Sequence, residues 1–193
     1  GAGNSARGID ATKEELNVIS DLHLITSKPV LYVCNVDEAS VKTGNIHVEA
    51  VNNAVKNEGA EVLLIATAIE AEIAELEDVE EQKIFLEELG LDKPGVHYLI
   101  QATYTLLNLQ TYFTAGAKEV RAWTITKGTM APQAASVIHT DFEKGFIRAE
   151  VIAYHDFISF GSEQSCRDNG KISVQGKEYI VQDGDVMHFR FNV

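Results

Sequence analysis

TYFTAGAKEVRAWTITKGTMAPQAASVIHTDFEKGFIRAEV, residues 111–151, is the stretch on which the fold of this chain turns. It interleaves glycines, aromatics and polar residues, with no long charge run. Within it, Val120–Ile125 reads as a strand. Gly128 and Pro132 bracket the start of a short helix to about Ile138, because proline suits the first helical turn. Phe146–Ala153 is the next strand. Further on, Asp156–Asp168 reads as a short helix or loop closed by Asn169-Gly170. Ile172–Val174 and Glu178–Val181 are expected to form a hairpin around Gln175-Gly176-Lys177. Asp183-Gly184-Asp185 is a turn, and Val186–Phe191 a last strand. A helix on a small mixed sheet predicts an α+β roll of the β-grasp (ubiquitin-like) kind.

Upstream the pattern is acidic and mostly helical. Thr12 reads as an N-cap, with Glu14 and Glu15 in the first turn where the helix dipole favours acids. Leu16, Ile19, Leu22 and Leu24 follow at loose helical spacing, and the helix should end near Thr26–Lys28, before Pro29. PVLYVCNV, residues 29–36, is a continuous apolar run of the kind buried on both faces in parallel sheets. A helix over Ile46–Glu58, capped near Gly59, leads to a second apolar strand, EVLLIATA, residues 61–68. IEAEIAELEDVEEQKIFLEELG, residues 69–90, has strong helical periodicity. Its acids form a solvated face, and Ile69, Ile73, Leu76, Ile84 and Leu89 should point inward. Val96–Leu109 reads as a helix bridging two units. Strand, helix, strand, helix implies α/β with a parallel sheet. Two strands make too small a sheet for a stable domain, so this unit reads as incomplete.

Charge supports the same division. The net charge of −13 is uneven. Residues 1–110 hold 7 basic and 19 acidic side chains, about −12, and residues 111–193 hold 9 and 10, about −1. A strongly acidic chain is a poor non-specific binder of polyphosphate, so an RNA contact needs a local basic surface in the second unit. DNA is not an expected partner. Cys34 and Cys166 lack metal or redox-motif spacing and, without a secretory signal, read as reduced thiols of a cytoplasmic protein. No apolar run approaches the roughly 20 residues that span a bilayer, so no membrane partner is expected. None of the six histidines pairs at a metal-binding spacing, so no metal site is expected.

Asn35-Val36-Asp37-Glu38 falls just past the first strand's carboxyl end, where open α/β sheets place ligands. The amide could read a ring nitrogen of a base and the glutamate an exocyclic amine; equally, the loop could satisfy its own backbone. His139-Thr140-Asp141 is either a base with its orienting acid or a polar turn. No catalytic residue is assigned. No G-x-S-x-G occurs, and no G-x-x-x-x-G-K-S/T that would cradle phosphates and hold Mg²⁺. Lys118, Arg121, Lys127, Lys144 and Arg148, with Tyr112, Phe113 and Trp123, form either a small RNA-contacting patch or scattered charges over core aromatics.

The 111–151 stretch and the ending YIVQDGDVMHFRFNV resemble the C-terminal region of the YchF subfamily of Obg-related P-loop NTPases. KPVLYVCNVDE and IEAEIAEL resemble the part before it. The resemblance implies the end of a helical insertion at residues 1–28. It implies the C-terminal part of a P-loop G domain, with a bridging helix, at 29–109, and a β-grasp TGS domain at 110–193. It makes Asn35, Val36 (through its backbone) and Glu38 the base-recognition motif, in which N-x-x-E replaces N-K-x-D and is associated with ATP over GTP. The implied cofactors are ATP and Mg²⁺ in a full-length protein, with phosphate and metal contacts preceding residue 1. The implied activity is a redox- and translation-linked, ribosome-binding ATPase. The implied partner is the ribosome, large subunit or whole, with ribosomal RNA reached through the TGS domain. This chain alone would not hydrolyse ATP, and the alternative is a stand-alone TGS module docking on ribosomal RNA or protein. The chain departs from the family at Ala66-Thr67-Ala68, at Ser136, usually glycine, and at Ser173, commonly arginine.

Overall fold

The computed structural model describes residues 5–116 and 119–192. The chain divides into two compact units, residues 1–107 and 108–193.

In the first unit, helix α1 (Lys13–Ser20) starts on a complete capping box. Thr12 Oγ1 accepts from Glu15 N at 3.3 Å, and the Glu15 carboxylate accepts from Thr12 N at 2.8 Å. The helix stops at Ser20, short of the expected end. It buries no residue, so no packing energy extends it against fraying. Strand β1 (Leu31–Asn35), helix α2 (Ile46–Val55) and strand β2 (Glu61–Ile65) form a parallel crossover, in register from Leu31–Glu61 to Asn35–Ile65. Among the described residues this unit's sheet has these two strands. Val33, mid-strand, is 47% exposed, so β1 is not buried on both faces as its apolar run suggested.

The long acidic stretch is two helices, not one. α3 (Thr67–Glu75) and α4 (Val79–Leu89) are separated where Leu76 turns extended. Asp78 causes the break: its carboxylate accepts from Glu80 N at 2.8 Å, which caps a new helix instead of continuing the old one. Gln82 closes the open end of α3 by donating to Leu76 O at 2.8 Å. Ala66, Ile69, Ile73 and Leu86 form the core there, whereas Ile84, expected inward, is exposed. Helix α5 (Gly95–Leu106) lies against β2 and β1. The Glu70 carboxylate accepts from Gly95 N at 2.6 Å and Val96 N at 3.0 Å, capping α5, so this acid is not part of a merely solvated face.

The second unit opens with a strand that begins at Leu109, the residue where the apolar run 96–109 predicts the last turn of a helix. Asn108 takes a φ of 53° and turns the chain from α5 into β3 (Leu109–Ala115). The elements that follow are β4 (Val120–Thr126), α6 (Ala131–Ile138), α7 (Thr140–Lys144), β5 (Phe146–Ile152), α8 (Tyr154–Phe160), α9 (Glu163–Asp168), β6 (Ser173–Gln175) and β7 (Val186–Phe191). Sheet order is β4-β3-β7-β5-β6, with β3 and β7 parallel and the other pairs antiparallel. The expected hairpin of 172–174 with 178–181 does not form. β6 pairs with β5, and Ile180 makes a single bridge to Met130. Backbone bonds from Ala131 N to Tyr179 O (2.8 Å) and Val181 N to Thr129 O (3.0 Å) draw that segment to the start of α6 instead.

Helix α6 packs on one sheet face through Ala131, Ala134 and Ala135, all fully buried against Tyr112, Ile125, Val151, Met187 and Phe189. Alanines let the helix approach closely, and the Tyr112 hydroxyl donates to Ala134 O at 2.8 Å. On the other face α8 and α9 cover Ile152 and Val186 with Phe157, Phe160 and the buried Cys166. The Asp183-Gly184-Asp185 turn sets the parallel register. Thr111 N donates to the Asp183 carboxylate at 2.8 Å, Gly184 N to Thr111 O at 2.7 Å, and Phe113 N to Asp185 O at 2.8 Å. Gly184, with φ +84°, supplies the left-handed backbone that this turn needs.

Candidate functional site

In the first unit the carboxyl ends of β1 and β2 lie side by side. Asn35 pairs with Ile65, and Val36 N donates to Ile65 O at 2.9 Å. Asn35 Oδ1 accepts from both Thr67 N (3.2 Å) and Thr67 Oγ1 (3.0 Å). That pair of hydrogen bonds fixes the amide plane and leaves Nδ2 as the donor turned away from Thr67. Asp37 serves the backbone: its carboxylate accepts from Ser40 N at 2.9 Å and starts the 3₁₀ turn Glu38–Ser40. Glu38 sits exposed at the head of that turn. Asp37 thus satisfies the loop's own backbone, while Asn35 and Glu38 are exposed. The N–H of Val36 is committed to Ile65, so only its carbonyl is left for a ligand. Thr67 is the residue that the motif alone does not reveal; its signal is a hydroxyl at the first helical position after the second strand.

Among the described residues no group of three or more His, Cys, Asp or Glu side chains could hold a metal ion. His139 is a polar turn: its Nδ1 accepts from Asp141 N at 3.2 Å and caps α7, with the ring largely exposed.

The basic residues of the second unit do not form one patch. Lys118 lies outside the described residues. The Arg121 guanidinium stacks on Trp123 at 4.2 Å, and strand alternation places that pair on the α6 face. Lys127 is exposed in the turn after β4, and Lys144 lies 3.8 Å from Asp141 at the end of α7. Arg148 is on the opposite face, 4.0 Å from Glu150. Tyr112 is fully buried and Phe113 packs beside Ile152 and Val186, so neither offers a ring for stacking.

Two further arginines join Arg148. Arg190 on β7 donates to the Glu150 carboxylate through Nε (3.3 Å) and Nη2 (3.5 Å), and Arg167 on α9 through Nη2 (3.4 Å). Glu150 itself is nearly buried. Its hydrogen bonds from Arg190, foremost, and Arg167 hold its carboxyl below the usual carboxylate range against the opposing effect of desolvation.

A parallel-strand unit with a pinned amide at its strand ends, followed by a separate mixed-sheet unit, defines a two-unit α/β protein. Residues 109–192 match the family YchF-GTPase_C, described as "Protein of unknown function (DUF933)". The chain is 57% identical over 187 residues to the "Ribosome-binding ATPase YchF" of Haemophilus ducreyi, covering 97% of this chain and 51% of that protein. It is 52% identical over 190 residues to the protein of the same name from Bacillus subtilis, with 97% and 52% coverage. The solved structure of the Schizosaccharomyces pombe YchF GTPase superposes with a TM-score of 0.85 at 36% identity, over 97% of this chain and 50% of that one. The chain is thus similar to these YchF proteins along nearly all of its own length, and it spans about half the length of the curated relatives it matches.

Proposed function

We propose that this chain supplies the base-reading and ribosome-docking half of a ribosome-binding ATPase. The observation that carries the reading is the Asn35 amide clamped by Thr67 where β1 and β2 end together. Asn35 Nδ2 donates to a ring nitrogen of the base, the Val36 carbonyl borders it, and Glu38 accepts from an exocyclic amine. Adenine offers an exocyclic amine, whereas guanine offers N1–H and N2–H to the shorter aspartate of N-K-x-D. These residues fit a purine base. ATP held there, with Mg²⁺, would bring the phosphoanhydride chemistry, and the residues that hold phosphates and metal lie outside these 193. The two-stranded parallel sheet described in the first unit, too small to be stable alone, supports a sheet that further strands complete. On this reading the 193-residue chain alone does not turn over ATP; Mg²⁺-dependent turnover by the purified chain would refute that. In a longer protein carrying the phosphate-binding half, Glu38→Asp should shift selectivity from ATP toward GTP. An unchanged ATP:GTP ratio would show that Glu38 does not read the base.

The strand order of the second unit, a central parallel pair with antiparallel strands on either side and α6 across one face, supports the β-grasp reading, and the relatives named for ribosome binding support a TGS domain that docks on the ribosome in the cytoplasm. Co-sedimentation with ribosomes tests it, and absence of any ribosome binding would count against it. Steep weakening with salt would mark RNA phosphate as the contact, and salt insensitivity a protein contact. A stand-alone docking module remains the second reading, favoured if the chain binds ribosomes without any measurable affinity for adenine nucleotide.

A further inference from the structure

Arg148 on β5 and Arg190 on β7 are direct cross-strand partners. Like charges directly opposite one another destabilise a sheet, so the pair calls for an explanation. Glu150 lies beneath both and also takes Arg167 from α9, so one nearly buried carboxylate aligns three guanidiniums that are each about half exposed, 53%, 47% and 47%. The other charged group in contact is Glu163, 2.8 Å from Arg167, and His188 is the cross-strand partner of Glu150. The cluster therefore keeps one net positive charge on a unit that is close to neutral overall. Each guanidinium has five N–H donors; Arg190 engages two of its N–H groups and Arg167 one nitrogen, which leaves a row of unengaged donors facing outward. The register shift between Phe146 and Arg148 is a bulge of the kind that re-aims a side chain. Helices α8 and α9 cover the Ile152–Val186 end of this face and leave Arg148 and Arg190 exposed.

We propose that Arg148, Arg167 and Arg190, aligned by Glu150, form a phosphate-contacting site for an RNA backbone. This rests on the reading that the second unit docks on the ribosome, and it assigns that contact to the sheet face opposite α6. Planar guanidinium forks match the non-bridging oxygens of a phosphate, and an arriving phosphate relieves the repulsion between Arg148 and Arg190. Glu150 is the positioning residue.

The test uses the whole 193-residue chain and a fluorescein-labelled 20-nucleotide uridine RNA, read by anisotropy across a salt series. Arg148→Gln/Arg190→Gln leaves Glu150 its Arg167 partner. It should lower affinity roughly tenfold at low salt and reduce the slope of log K against log salt by about 1.4, near 0.7 for each lost phosphate contact. Lys177→Gln, an exposed charge in the turn after β6, should change neither. Should the double variant fail to fold, as read from Trp123 emission, Arg148→Gln alone should give about half the change in slope. A wild-type slope in a folded variant, or an equal loss in Lys177→Gln, overturns the site. So does displacement of the RNA by polyglutamate as readily as by unlabelled RNA, which would assign the surface to an acidic protein. Ribosome sedimentation separates the two proposals. Ribosome binding that survives the double variant overturns this site and leaves the docking reading intact. RNA binding that depends on the arginines, without ribosome binding, supports the site and overturns the docking reading.

Discussion

Asp185 is 4% exposed, and one of its oxygens, Oδ2, accepts both from the Tyr179 hydroxyl at 2.7 Å and from Gln182 N at 2.9 Å. Through its backbone it also joins β7 to β3, accepting from Phe113 N. Asp185→Ala leaves that backbone bond but strips two donors of their acceptor. A buried donor left unmade costs about 1–3 kcal/mol, and loss of the desolvated charge offsets part of the sum, so the net loss should be about 2–4 kcal/mol. For a unit of this size each kcal/mol moves the midpoint by roughly 4–8 °C, so the second unit should melt about 10–25 °C lower. Trp123 is the only tryptophan in the chain, so its emission reports this unit alone. Asp185→Asn should behave oppositely. Its amide oxygen can accept both bonds without a buried charge, so at pH 7 it should be at least as stable as wild type. Burial raises the Asp185 carboxyl above its ordinary 3.8, with the two hydrogen bonds opposing. The folded state therefore holds that proton more tightly than the unfolded state. The stability this adds to wild type is complete below 3.8 and lost as pH rises through the folded value. The advantage of Asp185→Asn over wild type should then be greatest near neutrality and close as pH falls toward 3.8. An Asp185→Ala midpoint within about 3 °C of wild type, or an Asp185→Asn variant as damaged as the alanine, would refute the reasoning.

Other substitutions probe separate points. A Cβ on Gly145 would run into the Asn192 backbone, although its φ is ordinary, so Gly145→Ala should displace the end of β7 and lower stability by about 1–3 kcal/mol in the same Trp123 melt. Asp78→Ala removes the α4 cap and should cost the first unit about 1 kcal/mol, measured as lost helicity on heating by far-UV circular dichroism. Thr67→Val in a longer protein leaves Asn35 Oδ1 one partner, and should weaken ATP and GTP about equally, by roughly two- to tenfold in calorimetric titration.

Elements with a local chemical cause were legible. The Thr12 capping box, the β-branched run of β1, the Gly90 left-handed cap at φ 62° and Pro132 at the start of α6 all rest on residues within a few positions of the feature. Two errors arose where a local cause was outvoted by a longer pattern. Counting apolar residues at helical spacing through 69–90 passed over Asp78, although an aspartate with Glu80 and Glu81 behind it is itself a helix-start signal. Leu106 and Leu107 carry the helical pattern toward Leu109 past Asn108, although asparagine is one of the few non-glycine residues that readily takes a positive φ at a helix end.

The two proposed sites differ in the same way. Asn35 and Glu38 occupy four consecutive residues at one strand end, so a short motif could nominate them, and only the Thr67 contact across 32 positions needed coordinates. The arginine site depends on separations of 17 and 40 positions between Glu150 and its partners. Arg148 alone could be suspected as basic surface, but its grouping with Arg190 rests on which strand β7 joins. The antiparallel β5–β7 register brings Arg190 over Glu150, and the Asp183–Asp185 turn, through its bonds to Thr111 and Phe113, holds the start of β7 against β3 on its other side. A weakened turn should loosen the arginine cluster without touching it: Asp183→Ala, which deprives Thr111 N of its acceptor, should reduce RNA affinity along with stability, whereas Lys177→Gln, in the turn before it, should alter neither.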